Sequence, residues 1–587
     1  MTPEAKNDSQ NVSIVLPFEL WTEISSYLLK KDVKSMRLVS RLLRNAAHFR
    51  IERVFLSANP LNIKVLRHIA NHEVFRQSVT EIIWDDARFS RGPRRPLLGC
   101  CQSIAGYFDE DYEEIEDDLH HYLREQEYQK HEIPDDGEFL DWLFDAQTYC
   151  WYSNMEYHHS LRFLGQSECH NGGGSYAPAM QEQIDARLSL EECWSIYKDL
   201  YRQQIDVLYT SEDEEAFLYG LRRFPALKRV TITPAAHGYV FHPLYETPMI
   251  RSFPKGFIYP IPRTWPMAQM ERRIGPEFAY QWASMMERQK DRYRAFRIVT
   301  RTLAEEKHNV SELLVQSNYL PTGINGTFLG DTCAERHNLR ALFRRSGLRR
   351  LDLPLVFKES RTELNFFGKW KPRKLLAEAK EIEDIRISLA TLDIYEDPSA
   401  EINYLPLQDV LPVEKWRKLC NVEVSRMFIK VPDLINFFAL LPETIRSIEL
   451  KDVHFVDEGF NVWYNDLLNE MRDHIKTNSL WLNKDIASQP NLRVVILHPT
   501  SRSGEGIYGR GILLGKTLDR FLCGEGMNPF EKPDLVLLDN GSQGLRFRIK
   551  AGFGNIISEF EPDESQDCRY LQEATSGDFF EWIDFFY

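Results

Sequence analysis

The sequence predicts an α/β fold: a short helical module at the N-terminus, then an irregular array of strands and helices broken by two large insertions. Three observations predict it. The spacing apolar-x-x-apolar-x-apolar recurs along much of the chain. Several copies follow a segment with helical periodicity. Residues 14–49 carry two short amphipathic patterns ahead of the first strand.

Composition narrows the function. A chain of 587 residues with 43% hydrophobic and 12% aromatic content can bury a large core, which argues against global disorder. A net charge of -15 argues against a nucleic-acid clamp, whose surface needs clustered Lys and Arg, and against attraction to an anionic membrane. Neither nucleic acid nor membrane is expected as a partner. The nine cysteines are scattered and include no Cys-x-x-Cys pair, so neither a zinc ribbon nor a disulfide framework is expected. Residues 1–13 are polar, without the apolar run of a signal peptide, and read as disordered. The chain reads as soluble and cytoplasmic or nuclear.

In IVLPFELWTEISSYLLKKDVKSMRLVSRLLRNAAHF (14–49), Pro17 suits a first helical turn, where its missing N–H is no loss. Leu20, Ile24, Tyr27 and Leu28 recur at helical spacing. Asp32 is placed to cap a second helix, along which Val33, Met36 and Val39 make an apolar stripe. Two such helices cannot bury both faces against each other, so part of the stripe must pack elsewhere. Leu16-Pro17-x-Glu19-Leu20, Ile24, Tyr27-Leu28, Asp32-Val33, Met36-Arg37 and Val39-Ser40-Arg41 resemble the F-box motif in order and spacing. The family often has Trp where this chain has Leu43. The resemblance assigns residues 14–56 to an F-box. It implies that Leu16, Pro17, Leu20, Ile24, Leu28, Met36 and Val39 bind a Skp-family adaptor, and through it a cullin–RING ubiquitin ligase.

The body spans 57–533. Residues 51–56 and 79–84 read as strands flanking a helix at 61–75. The repeated spacing follows at Leu227-x-x-Val230-x-Ile232, Leu348-x-x-Leu351-x-Leu353, Ile382-x-x-Ile385-x-Ile387, Leu419-x-x-Val422-x-Val424, Ile445-x-x-Ile448-x-Leu450 and Leu492-x-x-Val495-x-Leu497. Helix-like segments precede several of these, at 214–224, 334–345 and 431–441. The pattern is similar to a leucine-rich repeat, in which the last two apolar positions point inward from a strand of a parallel sheet covered on one side by helices. From Leu348 onward the copies stand 26 to 47 residues apart, longer and less regular than the roughly 20–29 of that family. An irregular α/β domain is the alternative. Between the last two apolar positions lie Asp352, Arg386, Glu423, Glu449 and Ile496, which alternation turns away from the core. Asp352, Arg386, Glu423 and Glu449 are the candidate substrate-binding residues; the bland alternative is a solvated sheet surface.

One insertion, near 85–212, carries the acidic run Asp109–Asp118, the glycines 172–174 and helical patterns at 119–128 and 139–149. The other, near 234–276, is rich in Pro and aromatics and reads as a long ordered loop. Residues 534–587 read as a terminal hairpin, strands 535–538 and 545–549 around Asn540-Gly541, and an acidic aromatic tail.

No catalytic constellation stands out. Gly509–Thr517 approaches a phosphate-binding loop but has Arg510 where a bare glycine must curl around phosphate. His120-His121 and His158-His159 are adjacent pairs that point apart on a helix. Cys169-His170 offers no partnered nucleophile. No catalytic, metal or cofactor site is expected. The expectation is a substrate adaptor of a Skp–cullin–F-box ligase. Alternatives are a non-ligase scaffold subunit with the same adaptor contact, and an enzyme bearing an accidental F-box-like hairpin.

Overall fold

The computed structural model describes residues 16–47, 50–89, 182–266, 282–317, 322–357, 372–391 and 406–451, apart from a few positions within these spans. Beyond them it describes short pieces at 454–455, 469–473, 493–497, 510–512, 521, 526–528, 546–550 and 582–584. The expected disordered terminus (1–13), the acidic run, the glycines 172–174, the helices at 119–128 and 139–149, the histidine pairs, Cys169-His170 and the strand at 535–538 lie outside the described residues.

Three helices open the described chain: α1 (Phe18–Tyr27), α2 (Lys30–Val39) and α3 (Arg41–Ala46). Among the described residues up to 451, ten β-strands follow: β1 (Arg53–Leu56), β2 (Glu81–Asp85), β3 (Arg229–Thr233), β4 (Glu312–Val315), β5 (Ile324–Asn325), β6 (Arg350–Phe357), β7 (Asp384–Thr391), β8 (Asn421–Ser425), β9 (Phe428–Ile429) and β10 (Ser447–Lys451). Eight of these, β1-β2-β3-β4-β6-β7-β8-β10, lie side by side in chain order, and every neighbouring pair is parallel. The short β5 pairs with the distal half of β6.

The same spacing makes all eight strands. Ile51-x-x-Val54-x-Leu56, Val79-x-x-Ile82-x-Trp84 and Val310-x-x-Leu313-x-Val315 belong with the copies at Leu227, Leu348, Ile382, Leu419 and Ile445. Alternation sends the last two apolar residues of each copy to one face, where Val54, Ile82, Val230, Leu313, Leu351, Ile385, Val422 and Ile448 are buried. From β1 through β8 each step repeats one backbone junction. The two N–H groups after the first apolar residue both donate to a single carbonyl of the preceding unit: Thr80 and Glu81 to Glu52, Lys228 and Arg229 to Thr80, Ser311 and Glu312 to Lys228. Arg349 and Arg350 to Ser311, Glu383 and Asp384 to Arg349, and Cys420 and Asn421 to Glu383 continue the series, all at 2.7–3.1 Å.

Helices cover the apolar face: α4 (Pro60–Asn71), α5 (Leu190–Thr210), α6 (Glu212–Arg223), α7 (Arg294–Glu305), α8 (Ala334–Arg344), α9 (Pro372–Leu376), α10 (Leu407–Val410) and α11 (Val431–Ala439). Leu66, Phe217, Phe296, Leu342, Leu376, Val410 and Phe437 from seven of them share one core with the strand residues. Capping sets where the longer ones begin. The Asn59 side chain accepts from the N–H groups of Leu61 and Asn62 at the start of α4, and Ser189 with Glu192 forms a reciprocal box at the start of α5. Helix α5 falls inside the first expected insertion, where the sequence marked no helix at those residues.

The copy at Leu492 departs from the series. Its strand β12 (Arg493–Leu497) does not pair with β10. The short β11 (His454–Phe455) pairs parallel with β9, and three more strands are β13 (Arg510–Ile512), β14 (Arg546–Lys550) and β15 (Trp582–Asp584). Strand β14 enters between β10 and β12 and is antiparallel to both. Apolar spacing specifies which face of a strand is buried, not its direction or its neighbour, so this copy matched the pattern without extending the parallel series. The expected glycine-rich loop is partly strand, since Arg510–Ile512 pairs antiparallel with Trp582–Asp584 of the aromatic tail.

The described part of the second insertion builds a core of its own. Phe257, Ile258, Tyr259 and Ile261 pack with Phe89 and with Cys193, Trp194, Tyr197 and Leu200 of α5. Its contact with residues 182–188 passes through Gly256, whose carbonyl accepts from Leu188 N–H at 3.1 Å. With φ at +74° and a Cβ destined for 2.0 Å from the Ala186 oxygen, only glycine fits there.

Candidate functional site

Two surfaces carry the residues singled out from the sequence. The first is the helical module. The chain breaks at Ser40, whose extended backbone and hydroxyl, accepting from Leu43 N–H at 3.2 Å, start α3, so residues 14–49 form three helices rather than two. Pro17 stands at the N-cap of α1, just ahead of the first turn. Asp32 lies inside the first turn of α2 rather than capping it; there it still meets the positive end of the helix dipole. Arg37 donates to the carbonyls of Arg44 (3.0 Å) and Ala47 (2.6 Å), satisfying the end of α3. Ser25 donates to Ala46 O at 3.3 Å and ties α1 to α3.

The module buries little apolar surface. Val33, Ala46 and Ala47 are its buried apolar residues among those described, and Leu16, Trp21, Met36 and Leu43 are half-buried. By contrast Pro17, Leu20, Ile24, Leu28 and Val39 are exposed. Eight of the fifteen exposed large apolar side chains among the described residues lie between Phe18 and Leu42. Leu38 at 88% and Tyr27 at 81% are the most exposed of those eight. Leu20, Ile24 and Tyr27 stand at helical spacing on one side of α1, with Leu28 just past its end. Each would contribute about 1.5–3 kcal/mol if buried.

The second surface is the face of the sheet turned away from the helices. Asp352, Arg386, Glu423 and Glu449 stand in one register row across β6, β7, β8 and β10. Two residues earlier a second row was not foreseen: Arg53, Glu81, Arg229, Glu312, Arg350, Asp384 and Asn421 face one another on consecutive strands. Its charges alternate. Arg53 Nε lies 2.9 Å from Glu81, and Arg229 Nε 2.5 Å from Glu312. Thr231 donates to Glu81 at 2.6 Å. Arg350 donates to both oxygens of Asp352 (3.2 and 3.0 Å) and lies 3.8 Å from Asp384. Arg386 lies 3.5 Å from Asp384, 3.8 Å from Asp352 and 3.5 Å from Glu423. Asp352 is therefore buried in an ion-pair network, while Arg386 and Glu423 are half-buried at its rim. The side chain of Glu449 lies outside the described residues. The signal for the unforeseen row was in the sequence: aligned by their apolar spacing, the copies read Arg, Glu, Arg, Glu, Arg, Asp, Asn in the column before the second apolar residue.

The second insertion lies over part of this face. The Tyr245 hydroxyl donates to Gln316 at 3.0 Å, just past β4, and the Tyr245 ring meets Phe55 of β1 at 6.1 Å. Burial, helped by nearby Glu81, pushes the Tyr245 hydroxyl up to about 12. His237 is buried with Nδ1 3.0 Å from the Tyr259 hydroxyl and Nε2 3.6 Å from Asp85. Trp265 donates to Asp86 at 2.7 Å. The insertion thus reaches β1, β2 and the end of β4.

Two buried carboxylates make stability depend on pH. Burial pushes Asp86 and Asp384 up to about 6, against the pull of Arg88 and Trp265 on the first and of Arg386 and Arg350 on the second. Raised acids hold their protons longer in the folded chain, so their ionisation opposes folding, and their contribution to stability should increase as pH falls from 7 toward 5, offset in part by His308, which burial holds low and whose protonation opposes folding over the same window. The gain is about 1 kcal/mol for each group. Glu378 and Glu287, held low by hydrogen bonds from Arg344 and Arg297, lose stability only below their ordinary range. Urea unfolding across this window should show the rise, and Asp86→Asn should remove about half of it. An unchanged slope in that variant would refute the assignment.

Among the described residues, no group of three or more His, Cys, Asp or Glu could hold a metal ion, and no helix is long and apolar enough to cross a membrane. No protein-family model matches the chain, and no curated protein matches it either.

Proposed function

We propose that this chain is a substrate-recognition subunit of a Skp–cullin–F-box type ubiquitin ligase. Helices α1–α3 dock the Skp-family adaptor, and the sheet body, read as a leucine-rich-repeat-like array, recognises a protein. The observation that carries the reading is the crowding of exposed apolar side chains on a three-helix module whose own core is small. Five of the exposed residues there, Pro17, Leu20, Ile24, Leu28 and Val39, stand where the F-box resemblance puts adaptor contacts. Strand order equal to chain order and the repeated backbone junction support the repeat-array reading. The chain needs no nucleophile of its own on this reading, because holding a substrate near activated ubiquitin raises its effective concentration.

Affinity capture of the full-length protein from cells, with the ligase inhibited, tests the assignment. A Skp-family adaptor and a cullin should co-purify, together with a protein that accumulates under inhibition. Capture without adaptor would overturn it. A scaffold subunit using the same adaptor contact is the second reading. It is favoured by the one-to-one pairing of Arg53 with Glu81 and of Arg229 with Glu312, which leaves those strands no charge to offer a ligand. Adaptor without any accumulating protein would select it.

A further inference from the structure

The alternating row across the sheet breaks at one place. From β1 to β7, the short β5 apart, each strand opens with the opposite charge to its neighbour, Arg, Glu, Arg, Glu, Arg, Asp, so an arginine is due on β8; the residue there is Asn421. Asn421 is 6% exposed, and neither atom of its amide has a hydrogen-bond partner. Beside it in register, Asp384 is fully buried, and neither of its carboxylate oxygens accepts a hydrogen bond; Arg350 and Arg386 stand at 3.8 and 3.5 Å. Elsewhere in the row Glu81 is matched by Arg53 and Thr231, and Glu312 by Arg229. Around the break, Arg350 stands beside Asp352 and Asp384, and Arg386 beside Asp352, Asp384 and Glu423. Buried polar groups of this kind are ordinarily paired, and an unpaired carboxylate is the costlier to leave so.

We propose that a lysine or arginine side chain of a protein partner docks at this break, entering beside Arg386 and Glu423 to reach Asp384 and the Asn421 carbonyl oxygen. The proposal rests on the reading of the sheet body as a protein-recognition surface and specifies its substrate class: a polypeptide presenting an accessible basic residue. Strands β1 to β4 offer no equivalent place, since their row is paired and the Tyr245 loop lies over part of their face. Asp384 is held up to about 6 by burial that its two arginines do not fully offset, as expected of a carboxylate short of one cation.

The test uses full-length protein and fluorescent nine-residue peptides with randomised flanks and a fixed centre of arginine, citrulline or glutamate, read by anisotropy. Arginine-centred peptides should bind at least tenfold more tightly than citrulline-centred ones, and glutamate-centred ones more weakly still. Asn421→Arg, which places the missing cation within the chain, should raise the melting temperature and abolish the preference for arginine. Asp384→Asn, nearly isosteric, should abolish the preference without unfolding the protein. Equal binding of arginine and citrulline peptides, a preference for glutamate, or an unchanged preference in both variants would overturn the inference and leave the recognition reading standing. If no peptide of any charge binds the folded protein, the recognition reading falls as well.

Discussion

Replacing Arg350 with alanine should cost about 3–5 kcal/mol of stability, because it leaves the buried Asp352 without its main counter-charge and takes one of two from Asp384. Arg350 donates to both oxygens of Asp352, which is 6% exposed, and stands 3.8 Å from the fully buried Asp384. Without it, both acids share Arg386, at 3.8 and 3.5 Å. Arg53→Ala is the control within the same row. That side chain is about half exposed, so water can take its place, and Thr231 still donates to Glu81, so the loss should be clearly smaller than for Arg350. Urea unfolding separates the two. Equal losses would show that the row is a surface decoration. The double change Arg350→Met with Asp352→Leu should recover part of the loss, since it removes both partners of the hydrogen-bonded pair and leaves Arg386 to Asp384 and Glu423.

If α1–α3 dock a Skp-family adaptor as proposed, Leu20→Asp or Ile24→Asp should reduce its co-purification at least about 100-fold. Each change removes an apolar contact of about 1.5–3 kcal/mol and introduces a charge that the interface must desolvate. Both side chains are exposed in the protein alone, so its melting temperature should hardly move, which separates docking from misfolding. Tyr209→Asp, at an exposed tyrosine on α5, is the control and should leave adaptor binding intact. Adaptor recovered with both variants at the unmodified level would remove α1–α3 from the docking role.

Apolar spacing by itself makes five of the parallel strands legible, those beginning at Arg229, Arg350, Asp384, Asn421 and Ser447. Residues 51–56 and 79–84 are legible as strands without standing out as copies. The strand at Glu312–Val315 escapes because Leu314 fills the outward position that is charged in the later parallel copies, turning alternation into an apolar run. The row from Arg53 to Asn421 escapes for another reason. Arg53 and Glu81 stand 28 residues apart in sequence, but Glu81 and Arg229 stand 148 apart, and only the register of β2 against β3 brings the latter pair together. Nothing local reveals that Tyr245 lies over Phe55. In the module, the apolar positions are legible but not the break at Ser40, because a serine within a helical pattern reads equally as a surface residue and as a cap.

The strand order has a bearing on how such a chain can grow. Each parallel strand leans only on the one before and the one after, so the sheet behaves as a one-dimensional lattice whose couplings are between nearest neighbours. The chain between β2 and β3 is roughly six times as long as that between β1 and β2, yet by loop-closure entropy the difference costs only about 1.5 kcal/mol. Connections in such a lattice are cheap places to add sequence, whereas shifting any strand by one residue would turn its apolar side outward and set arginine and carboxylate out of step with both neighbours. Variation is thereby channelled into the links, and the rungs are held fixed.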